Sequence, residues 1–304
     1  MFLLHASGES SGAVTEFLSG VLIDGIIDTL KLIPFLFLTY LLMEYIEHKA
    51  ESSAEKFMRH AGAFGPLIGG VLGAVPQCGF SAAAANFYAG RVITVGTLVA
   101  VFLSTSDEML PILIGTDMPI IPVLLIVLYK IAVGVAVGFA VDGVLRLLRH
   151  GDEHINIDAI CDEDNCHCER GILHSAIHHT ITITIFVFLV TVAINSLIFF
   201  IGEEALGNLL YDKPFISHVI AAVIGLVPNC ASSVVLATLC SEGVITVGTM
   251  ISGLFAGAGV GLLVLFKVNK KIRDNCIIIG VLVASGIVFG MLADLIFPTS
   301  IFIA

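Results

Sequence analysis

Gly73-Ala74-Val75-Pro76-Gln77-Cys78 and Gly225-Leu226-Val227-Pro228-Asn229-Cys230 are one phrase written twice, 152 residues apart. At the same offset Ser81 meets Ser233, and Val92-Ile93-Thr94-Val95-Gly96-Thr97 meets the identical hexamer Val244-Ile245-Thr246-Val247-Gly248-Thr249. Between 68–97 and 220–249, 14 of 30 columns are identical without a gap, which composition bias does not produce. The chain therefore reads as an internal duplication. Each phrase also divides an apolar stretch into pieces, 62–75 with 79–89 and 215–227 with 231–241. None of the four reaches the about 20 residues a spanning helix needs. Proline removes a backbone donor and breaks a helix. Both copies thus read as Pro-broken pairs of short helices.

Outward from these pairs, spans are expected at 26–46, 92–114, 119–148, 172–201, 244–266 and 276–297, with polar connections at 48–61, 150–171 and 202–214. The mean hydropathy is +1.03 and only 13% of residues are charged. Soluble domains carry about 25%. The expected class is an all-α polytopic membrane protein. Its parts are a first membrane repeat at 1–149, a loop at 150–171 and a second membrane repeat at 172–304. An excess of 25 Asp and Glu over 14 Lys and Arg argues against a nucleic-acid partner, which needs a basic surface. Residues 1–12 lack a basic n-region, so no cleaved signal peptide is expected.

Lys and Arg set the expected orientation. Lys49, Lys56, Arg59, Arg91, Arg146, Arg149, Arg170, Lys267, Lys270, Lys271 and Arg273 fall in one set of connections; the other set holds only Lys213. The positive-inside rule makes the first set cytoplasmic and both termini external. Each half then crosses an odd number of times, so the two halves are inverted relative to each other. Inverted repeats with broken helices typify secondary transporters, whose site lies at the repeat interface.

The candidate site follows. Non-helical backbone at membrane depth lines a cavity or is buried in protein. Gln77, Cys78, Asn229 and Cys230 at the two turns, with Ser81, Asn86, Ser232 and Ser233 nearby, are the expected substrate-binding groups. A tight turn whose polar groups only cap short helices is the alternative. Ser104-Thr105-Ser106-Asp107-Glu108 puts two carboxylates inside an apolar span, where a charge costs at least about 2.5 kcal/mol and usually faces a pathway. If the helix runs through, Ser104 and Glu108 share a face. The matching second-half positions, Gly259 and Val260, are apolar, and Gly253, Gly257 and Gly261 there read as packing contacts. Asp107, Glu108, Asn229, Cys78 and Cys230 form the expected metal-binding set, and Glu44 is a candidate for the cytoplasmic vestibule. Asp294 reads as interfacial. The loop holds Cys161, Cys166, His167 and Cys168, ligand types for zinc and softer ions. Their spacing is no standard zinc-finger pattern. An auxiliary capture loop and a solvated acidic loop are both open readings.

Pro34-Phe35-Leu36-Phe37-Leu38-Thr39-Tyr40-Leu41-Leu42-Met43-Glu44-Tyr45, Pro76-Gln77-Cys78-Gly79-Phe80-Ser81, Ser106-Asp107-Glu108 with Pro111, Cys166-His167-Cys168-Glu169 and Pro228-Asn229-Cys230-Ala231-Ser232 resemble the ten-transmembrane-helix heavy-metal exporters, described as arsenic-efflux or manganese transporters. The resemblance covers roughly 26–297. It implies about ten membrane segments in two inverted-topology repeats, and export. No Gly-x4-Gly-Lys-Ser/Thr run is present, so the expected energy source is an ion gradient, with a partner protein as the alternative. The expectation is a secondary transporter, not an enzyme. It would export a divalent heavy-metal or metalloid ion across the cytoplasmic membrane of a prokaryote, with no bound cofactor besides that ion. The expected partners are the lipid bilayer, the metal ion or small solute and a second copy of the chain. Transport of a small organic solute without metal is the alternative reading, and a membrane-embedded enzyme is the third.

Overall fold

The computed structural model describes residues 64–75, 78–106, 109–115, 119–148, 180–189, 214–228, 230–241 and 243–297, with scattered positions between 26 and 41 and between 173 and 192. Among the described residues every element is a helix. These are α1 (Phe64–Gly73), α2 (Cys78–Ala89), α3 (Val95–Ser104), α4 (Met109–Gly115), α5 (Ile120–Leu148), α6 (Thr180–Leu189), α7 (Pro214–Gly225), α8 (Cys230–Ser241), α9 (Val247–Ala256), α10 (Val260–Val268) and α11 (Ile272–Ile296). The expected short pairs are α1 with α2 and α7 with α8. The described positions between 26 and 41 that the first span covers are helical as well.

Two expected spans are not continuous. The 92–114 stretch is α3 and α4 with a break after Ser104, and the 244–266 stretch is α9 and α10 with a break at Gly257–Gly259. The helix does not run through Thr105 and Ser106, which corrects the through-running reading of 92–114; Glu108 lies outside the described residues. The local chemistry accounts for both breaks. The hydroxyls of Ser104 and Thr105 donate back to Ala100 O and Val101 O at 2.8 and 2.7 Å. Such bonds compete with the ladder at a helix end. In the second half, Gly259 sits at φ 51°, a left-handed value that suits glycine.

Among the described residues three segments are long and apolar enough to cross a bilayer: Ile120–Leu147, Ile272–Ile296 and, taken across its break, Val247–Val268. The broken one is central, with 89% of its window buried against 33% and 28% for the other two. α5 and α11 instead present Leu124, Leu128, Leu147, Val288 and Leu295 outward. An apolar exterior of this kind is what lipid solvates, consistent with a membrane protein.

Packing repeats at the 152-residue offset. α3 lies along α5 and α9 along α11. A Cβ on Gly138 would stand 2.6 Å from Gly96 O, and one on Gly290 2.7 Å from Gly248 O. The halves also interlock: α10 packs on α2, α4 packs on α8, and the central helices α3 and α9 touch each other. Gly253, Gly257 and Gly261 are indeed packing positions, a Cβ there meeting Leu236 at 2.3 Å, Gly225 O at 2.7 Å and Ser81 at 2.8 Å.

Candidate functional site

The two broken helices begin in the same way. Thr94 caps α3, its hydroxyl oxygen accepting from Thr97 N at 3.1 Å, and Thr246 caps α9 by the same bond to Thr249 N at 3.1 Å. Each cap is held by an aspartate from the neighbouring long helix. Asp142 accepts from Thr94 Oγ1 at 2.6 Å and Gly96 N at 2.8 Å; Asp294 accepts from Thr246 Oγ1 at 2.9 Å and Gly248 N at 2.7 Å. A carboxylate suits the positive end of a helix, whose first N–H groups have no partner within the helix. Asp294, expected merely at the interface, is thus a helix cap. The halves differ at one point, because His218 Nε2 lies 3.2 Å from Asp294 Oδ2 while the matching position in the first half is Pro66.

The same helices end facing one another. Thr105 N donates to Val101 O at 3.0 Å and Gly257 N to Gly253 O at 2.9 Å, closing α3 and α9 at matching residues. Thr105 and Gly257 both line a cavity of about 20 Å³, together with Ser232, Ser233, Leu236 and Gly259. A space of that size holds about one water-sized guest. Two helix C-termini thus converge on it from opposite halves, and each C-terminus carries partial negative charge. On the other side of the first break, Lys130 of α5 is fully buried, and its Nζ donates to Thr105 O.

The expected site residues divide accordingly. Ser232 and Ser233 reach the cavity, and Ser232 Oγ also donates to Val227 O at 3.2 Å. Ser81 is buried on α2 against Gly261, away from the cavity lining. Asn86 is fully buried, its Oδ1 accepting from Tyr40 Oη at 2.9 Å, while its Nδ2 has no hydrogen-bond partner among the described residues. Cys78 and Cys230 begin α2 and α8. Gln77, Asp107, Glu108, Asn229, Glu44 and the loop residues Cys161, Cys166, His167 and Cys168 lie outside the described residues, as do the side chains of Cys78 and Cys230. Among the described residues no three His, Cys, Asp or Glu side chains gather in a way that could hold a metal ion.

Sequence reasoning passed over Lys130, Asp142 and His218. Lys130 is the only charged residue between Ile120 and Val141 of α5, and that was a legible signal, because ionisable groups in such segments mark function. The aspartates were legible too: Asp142 and Asp294 obey the 152-residue offset, beyond the window over which the repeat was counted. Comparison with protein-family profiles, curated proteins and solved structures finds no match for the chain.

Proposed function

We propose that the protein is a secondary transporter that exports a divalent heavy-metal or metalloid ion across the cytoplasmic membrane, from a site at the two helix breaks. The observation that carries this reading is the convergence of the α3 and α9 C-termini on one ion-sized cavity. The negative end of α9 attracts a cation there, and Ser232 and Ser233 supply oxygen ligands beside it. Asp107 and Glu108 come two and three residues after Thr105 in the chain, and their carboxylates would balance a divalent charge. The cavity is too small for an organic solute, which favours the ion over that alternative. In this reading the halves are inverted repeats in a ten-segment architecture like that of the heavy-metal exporters, and an ion gradient drives export.

The test is a panel of Mn²⁺, Zn²⁺, Cd²⁺ and arsenite, first as shifts in thermal unfolding of the purified chain and then as uptake into inside-out vesicles. One of them is expected to stabilise the protein and be taken up. Asp107→Asn should reduce that uptake about 100-fold, because it removes one of the two carboxylates proposed to balance the ion's charge. Absence of any metal-dependent shift and uptake overturns the reading.

A further inference from the structure

We propose that Lys130 is a tethered cation, its ammonium filling a position at the end of α3 that a free monovalent cation would otherwise occupy. The group is 0% exposed, in a helix that otherwise buries only apolar and small side chains at that level. Removing an ammonium from water is costly unless strong partners replace the hydration shell. The fold supplies them. Lys130 Nζ donates to Thr105 O, the carbonyl of the residue that ends α3 and therefore part of that helix's negative pole. The ring of Phe255, from α9 of the other half, lies 6.0 Å from Nζ with its centroid, within reach of a cation–π contact. A carbonyl, a helix C-terminus and an aromatic face together form a binding environment for a small monovalent cation.

The duplication shows that the lysine is not needed to pack the helices. The position that matches Lys130 in the second half is Leu282, also 0% exposed. There α11 packs along α9 as α5 packs along α3, with the same close glycine crossings. An apolar side chain thus satisfies this interface sterically. What lysine adds at the first break is charge, placed beside one helix end and withheld from the other. The consequence is an asymmetric pair of breaks: among the described residues, a lysine ammonium stands at the α3 end and no basic side chain stands at the α9 end. This inference stands whatever the cavity carries.

The experiment compares the purified wild-type chain with Lys130→Met, which keeps length and removes charge, and Lys130→Arg, which keeps charge. Thermal unfolding of each is followed in sodium, potassium, ammonium or N-methylglucamine chloride at one fixed ionic strength. Lys130→Met should gain about 5 °C or more in one of the small cations over N-methylglucamine, saturably, because a ligand that binds only the folded state stabilises it. Wild type and Lys130→Arg should show no such gain. If Lys130→Met folds as well as wild type in every salt, no cation position exists at the break. If it fails in every salt while Lys130→Arg folds, the ammonium is a fixed structural cap that no free ion replaces. Either result overturns the proposal.

Discussion

Asp142 and Asp294 each hold a helix N-terminus from outside the helix, through one hydroxyl and one backbone N–H. Their removal leaves the N–H of Gly96 or Gly248 without its acceptor in a place where little water reaches. Asp142→Ala and Asp294→Ala should each destabilise the fold by about 1–3 kcal/mol, the range for losing a cap and leaving a buried donor unsatisfied. Asp142 is the more buried of the two, so its loss should cost more. Asp142→Asn keeps an acceptor for Gly96 N and should recover part of the difference. Thermal unfolding of the three purified variants measures this; equal stability of Asp142→Ala and wild type would mean that the capping bonds contribute nothing. At this scale the sequence was only partly legible. The threonines stood inside an identical hexamer and announced themselves, whereas the aspartates that complete the caps lie 48 residues further on in each half. Only tertiary packing brings them back, and no local periodicity reports that.

At the scale of elements, hydropathy found the helices and missed their interruptions. Thr105 and Ser106 after α3, and Gly257, Ala258 and Gly259 after α9, are small or hydroxylic, and an average over an apolar window does not register them. The short pairs were legible because proline is an unambiguous break, while hydroxyl back-bonding and a left-handed glycine are quieter. Glycine content gave a second clue, whose meaning depends on position. At Gly248 a Cβ would stand 2.2 Å from Gly290 O, a backbone atom that cannot swing aside, so α9 and α11 would have to separate. Gly248→Ala should therefore lose well over about 1–3 kcal/mol, the ordinary overpacking cost, and yield little folded protein. Gly280, inside α11, has nothing within 4 Å of its notional Cβ. Gly280→Ala should gain about 0.5–1 kcal/mol from helix propensity alone. Expression yield and unfolding temperature of the two variants separate the cases, and a well-folded Gly248→Ala would contradict the close crossing.

At the scale of the whole molecule, the duplication and the charge pattern together carry a geometric consequence. Asp142 places the start of α3 beside the end of α5, four residues before Arg146, in the basic set of connections. Asp294 places the start of α9 beside the end of α11, whose own start carries Lys270, Lys271 and Arg273. If basic connections are cytoplasmic, α3 enters its break from the cytoplasm and α9 enters from outside. The two negative helix ends then meet from opposite sides, the arrangement that lets one site open alternately to either face. The ends of α5 and α11 must accordingly lie on opposite sides of the membrane. Leu147 and Leu295 are 80% and 81% exposed and report those ends. With the native cysteines replaced, Leu147→Cys and Leu295→Cys are treated in intact cells with a membrane-impermeant maleimide. Leu295→Cys should label before lysis and Leu147→Cys only after it. Labelling of both from the same side would make the halves parallel rather than inverted. The cavity between α3 and α9 would then lose its two-sided access, and with it the physical basis for alternating transport.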